Sequence, residues 1–109
     1  MVKLSKKQAK LMGDFAELQT RLPTPWPVKL RFAQISAEHI AETNEKADHL
    51  EIVIGARVTD YDFMCYLLVH EYAHCLDFAP KAMRFTRSPH DSIYGVRWAQ
   101  VHSEFFQTR

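Results

Sequence analysis

The sequence lacks any apolar run approaching the roughly 20 residues needed to cross a bilayer, so no transmembrane helix is expected. It also lacks the pattern of a secretory leader, because Lys3, Lys6, Lys7 and Lys10 are not followed by an apolar stretch. A cytoplasmic address is therefore the expectation. Neither sign of charge is in excess: 14 Lys and Arg face 13 Asp and Glu, and the net charge of +1 gives no argument for a nucleic-acid or membrane partner. Cysteine is scarce. Cys65 and Cys75 lie ten positions apart on one expected helix, about 15 Å along its axis, too far for a disulfide. They read as reduced core thiols. What is present is apolar material, 47% hydrophobic and 12% aromatic over 109 residues, which excludes wholesale disorder and predicts one domain over residues 1–109.

Leu4, Leu11, Phe15, Leu18 and Leu22 recur at helical spacing and predict an amphipathic helix over about residues 4–22, with its lysines on a solvated face. Pro23, Pro25 and Pro27 end it, and Trp26 between two prolines is a candidate core plug. The period then changes to two. Val28, Leu30 and Phe32 alternate with Lys29 and Arg31, and Leu50, Ile52 and Ile54 alternate with Glu51 and Val53 before Gly55, which predicts two strands. Residues 38–48 have room for a short weak strand and a turn through Asn44. His39 and His49 have no partner at ligand spacing and read as surface or hydrogen-bonded histidines. Thr59 and Asp62 resemble a capping box that starts a helix just before Tyr61, and Pro80 marks its far end. Apolar residues from Phe63 to Phe78 spread around its whole circumference, as expected of a buried central helix. The expected fold class is α+β: an N-terminal helix, a small mostly antiparallel sheet, the central helix and a C-terminal helix.

Within that central helix stands His70-Glu71-Tyr72-Ala73-His74, an HExxH motif. Residues four apart share a helix face, so His70 and His74 can present two imidazole nitrogens to one zinc ion. Glu71 is placed beside the ion as a general base, taking a proton from an attacking water and returning it to a leaving group. A catalytic zinc usually takes three protein ligands. His90 is the favoured third: Ser88, Pro89 and Asp91 mark a helix start around it, and Tyr94, Trp98, Val101 and Phe105 continue a stripe that must pack on the core. Asp77 is the other candidate, with a bland reading as a ligand's partner or a helix-end charge; His102 reads as structural.

His70, Glu71 and His74, then His90 at a helix start with Tyr94 four positions later, resemble the SprT-like zincin metallopeptidases in layout. That resemblance implies a minimal zincin-like fold, a Zn²⁺ cofactor, a protein or peptide substrate and a compact stand-alone peptidase of bacterial or phage type. In that family glycine commonly follows the third histidine and the aromatic is often phenylalanine, whereas Asp91 and Tyr94 stand here. By similarity to zincins, an extended substrate would add to the edge strand nearest the central helix, for which residues 50–54 are the expected strand. Tyr94 has two readings, an oxyanion donor or a packed aromatic with its hydroxyl bonded. Lys81, Arg84 and Arg87 suggest an approach for acidic substrates or nucleic acid, a weaker idea that net charge does not support. The alternatives are a non-catalytic zinc-stabilised binding or adaptor module of zincin fold and a zinc hydrolase acting on a non-peptide bond.

Overall fold

Ser5 opens the first helix, α1 (Lys6–Arg21), with a capping box: its hydroxyl accepts from the Gln8 N–H at 3.1 Å while the Gln8 side chain accepts from the Ser5 N–H at 2.9 Å. A computed structural model describes residues 3–36, 39–77 and 92–107 of the chain. Leu11, Phe15 and Leu18, spaced four and three apart, form the buried stripe of α1. After the proline-rich connector the chain enters β1 (Val28–Ala33). The Gln19 side-chain amide donates to the Val28 carbonyl at 2.9 Å and ties helix to strand.

Two further strands, β2 (Ala41–Glu45) and β3 (Leu50–Gly55), complete a three-stranded sheet of order β1-β3-β2. The sheet is mixed. β1 runs parallel to β3, with Leu30 opposite Ile52, and β2 runs antiparallel to it, with Thr43 opposite Ile52. The chain thus leaves β1, crosses to the far edge as β2 and returns between the two. Asn44 lies inside β2, and the reversal expected through it falls later, where the Lys46 N–H bonds the His49 carbonyl at 2.9 Å. A Cβ on Gly55 would stand 3.2 Å from the Ile40 carbonyl that its own N–H bonds at 2.8 Å, so β2 and β3 close on a residue without a side chain.

Helix α2 (Tyr61–Leu76) starts where the sequence places it, but its cap is Asp60, whose carboxylate accepts from the Phe63 N–H at 2.9 Å, and not Thr59. Asp77 is its C-cap, and Phe78 and Pro80 lie outside the described residues. The last helix is α3 (Ser92–Gln107). Met64, Leu68, Tyr72 and Cys75 of α2 pack with the inner face of the sheet, the α1 stripe, and Tyr94, Val101 and Phe105 of α3 in one core. Tyr72 is fully buried, and its hydroxyl donates to the Leu22 carbonyl at 2.6 Å, which satisfies the one polar atom it carries inside.

The expectation that α2 is covered on all sides does not hold. Phe63 and Tyr66 are 40% and 52% exposed, and His70 and His74 are half-buried, so one stripe of the helix is open. That opening removes the desolvation penalty two fully buried imidazoles would carry. Among the described residues no helix is long and apolar enough to cross a membrane.

Candidate metal centre

The last two turns of α2 carry the HExxH residues. One turn separates His70 from His74, and their ring centroids lie 5.2 Å apart with the planes inclined at 74°. Two imidazoles bound through nitrogen to one tetrahedral zinc, with bonds of about 2 Å, have centroids roughly 5 Å apart. The observed pair fits that spacing.

Glu71 turns from the open stripe toward the sheet. It is buried, and among the described residues it is the charged side chain that the fold encloses. Its Oε1 accepts from the Thr43 hydroxyl at 2.7 Å, and its Oε2 stands 3.9 Å from His70 Nε2. Thr43 is on the inner face of β2 because it pairs with Ile52, an inner-face residue of β3. Sequence reading missed Thr43. Its signal is weak: a threonine alternating with Ala41 and Glu45 in a polar segment points at the helix only once strand and register are known.

Tyr94 covers the imidazoles from the α3 side, its ring 4.4 Å from that of His74 and 5.8 Å from that of His70. Its hydroxyl donates to the His70 backbone carbonyl at 3.0 Å. Burial, then the negative charge of Glu71, raises its pKa above the ordinary phenol value, so it stays neutral and a donor. This geometry matches the packed-aromatic reading. Beneath the site, burial and the Glu71 charge push the Cys75 thiol up to about 12; Cys65 and Cys75 are both buried and not joined in a disulfide, as expected of inert core thiols.

Asp77 sits three positions past His74, its backbone N–H bonded to the Ala73 carbonyl at 3.0 Å as the helix ends. His39 is exposed, His49 Nδ1 is 2.7 Å from Asp48 Oδ1, and exposed His102 stacks on Trp98 with centroids 4.8 Å apart. His90 lies outside the described residues, as do Ser88, Pro89, Asp91 and the basic positions Lys81, Arg84 and Arg87. Among the described residues no three His, Cys, Asp or Glu side chains gather at metal-binding distance. The described part of the site is therefore an imidazole pair with an adjoining carboxylate.

The expected substrate strand needs correction. Residues 50–54 belong to β3, the central strand, bonded on one side to β1 and on the other to β2. Its backbone groups are consumed. The edge beside α2 is β2, beyond which no described strand lies. The Gly55 N–H bond to Ile40 and the Lys46 N–H bond to His49 fix the alternation of that ladder, so Glu42 and Asn44 turn their backbone groups to β3. Ala41, Thr43 and Glu45 turn theirs outward. Thr43 thus holds Glu71 with its side chain and turns its peptide groups away from β3.

No family model matches the chain, and neither a curated protein nor a solved structure matches it.

Proposed function

We propose that the chain is a zinc-dependent metallopeptidase of the SprT-like zincin kind, with His70, His74 and His90 as zinc ligands and Glu71 as general base and then acid. The observation that carries the proposal is the placement of Glu71, enclosed by the fold yet beside two half-exposed imidazoles, with one oxygen held by Thr43. Enclosing a carboxylate costs several kcal/mol on the order-of-magnitude scale. A purely structural metal site has no use for such a group next to its ligands, which is the argument against a non-catalytic adaptor.

Bound zinc would supply Lewis-acid polarisation of a carbonyl and a lowered water pKa. The rest falls to the chain. Thr43 fixes Oε1 of Glu71, leaving Oε2, the oxygen nearer His70, to accept a proton from the attacking water and return it to the departing amine. Substrate backbone pairs with the outward groups of Ala41 and Thr43, which sets an extended peptide beside Glu71. His90 precedes Tyr94 by four positions in the sequence, and the Tyr94 ring lies 4.4 Å from that of His74, which supports His90 as the third ligand.

The test is a peptide-library digest by wild type and Glu71→Gln, with zinc measured in both. Equal zinc and cleavage lost in the variant is the expected result. Equal zinc with equal cleavage would remove the peptidase reading.

A further inference from the structure

β1 is the other edge of the sheet, separated from β2 by β3. We propose that this edge docks an extended, acidic polypeptide segment as an added antiparallel strand, independently of zinc. Three observations converge on it.

The first is unpaired backbone. The Leu50 N–H bonds the Pro27 carbonyl at 2.8 Å and the Ala56 N–H bonds the Ala33 carbonyl at 2.9 Å, which sets the phase of the parallel ladder between β1 and β3. Lys29, Arg31 and Ala33 turn their peptide groups to β3, and Leu30 and Phe32 turn theirs outward. Gln19 takes the Val28 carbonyl, and no described strand lies beyond. An edge of this kind is a template for another strand.

The second is an apolar groove of about 740 Å³ along that edge, with Leu4 and Met12 of the α1 side and Leu30 and Phe32 of β1 among its walls. Leu4 is 40% exposed, although it heads the stripe that α1 buries farther along. The groove lies on the side where an added strand would place alternate side chains.

The third is charge. Lys29 and Arg31 project from the outer face of β1, and Lys3 and Lys6 stand exposed around Leu4. The acidic residue in the groove wall, Glu51, is already bonded by Arg31 at 3.0 Å. A second copy of β1 is a poor occupant: antiparallel registers centred on Lys29, Leu30 or Arg31 set a cation opposite another cation. Acidic side chains on the incoming strand meet Lys29 and Arg31 instead.

The experiment uses the full chain in excess chelator and a blocked, fluorescein-labelled nine-residue peptide of alternating valine and glutamate, read by anisotropy. In the antiparallel arrangement valines enter the groove and their amides face β1. Replacing every glutamate by lysine should weaken binding at least tenfold, and so should N-methylating the valine amides, whereas N-methylating the glutamate amides should change it less than twofold. Lys29→Glu and Leu4→Asp, each shown folded by thermal melting, should weaken it at least fivefold, and the Leu30 and Phe32 amide hydrogens should exchange more slowly in the complex. Equal binding of the lysine peptide or of the valine-methylated peptide overturns the proposal. So does wild-type self-association through this edge that peptide cannot displace, which would make a second copy the occupant. Because the chelator removes zinc, failure here leaves the peptidase reading untouched, and failure of that reading leaves this one standing.

Discussion

The two edges of the sheet have the same backbone character and opposite surroundings. β2 reads Ala-Glu-Thr-Asn-Glu, faces α2 and reaches Glu71 through Thr43; β1 reads Val-Lys-Leu-Arg-Phe-Ala, faces α1 and borders an apolar groove. What separates them is the helix each one meets. α2 sets an enclosed carboxylate against β2, where the Thr43 hydroxyl bonds it. α1 brings leucine, methionine and phenylalanine, with Gln19 bonded to the Val28 carbonyl, and its lysines are exposed. The neighbouring helix decides which groups each edge borders.

The sharpest way to break the contrast is His74→Ala. It should abolish zinc-dependent cleavage while leaving acidic-peptide binding at β1 unchanged, checked by digest and anisotropy on the same preparation; loss of both would mean that the two edges are not separate sites. Leu68→Ala tests their common foundation, since Leu68 is fully buried in the core shared by α2 and the sheet. A cost of about 2–5 kcal/mol in denaturant unfolding is expected, with both activities falling together. Thr43→Val keeps the shape of β2 but removes the hydroxyl donor to Glu71. It should cost about 1.5–3 kcal/mol, and Thr43→Ser should retain most of that stability. A neutral Thr43→Val would show that the β2 edge does not hold the carboxylate.

The smallest effect concerns the β1 side. The Arg31 hydrogen bond holds the Glu51 carboxyl below its ordinary value of 4.5. A depressed folded-state pKa gives stability that is present above 4.5 and lost as pH falls through the folded value. Melts from pH 7 to pH 3 should show wild type ahead of Glu51→Gln at neutral pH by no more than about 1 kcal/mol, with the gap closing below pH 4.5. A gap that widened with acid would reverse the assigned sign.

The helices were legible in the sequence because burial follows their period: Leu11, Phe15 and Leu18 on α1, and Tyr94, Val101 and Phe105 on α3, are the buried positions that spacing selects. β1 and β3 announced themselves by alternation. β2 did not, because a strand whose inner face meets Glu71 has no apolar face to display, and with β2 weak the central position of β3 was invisible. The open stripe on α2 was hidden for the opposite reason: Phe63 and Tyr66 are apolar by type but exposed, and sequence cannot tell which side of an all-round apolar helix its neighbours leave bare. His70, Glu71 and His74 were legible because one helical turn fixes their relation. Thr43 was not, because its partner lies 28 positions away and only strand register brings them together.

The most direct measurement is zinc content together with X-ray absorption at the zinc edge, on wild type and His90→Ala. One zinc per chain is expected in wild type, with three imidazole nitrogens at about 2.0 Å and a remaining oxygen ligand, and one imidazole fewer or zinc lost in His90→Ala. A chain that binds no zinc, a thiolate-bound ion, or a spectrum unchanged by His90→Ala would contradict it.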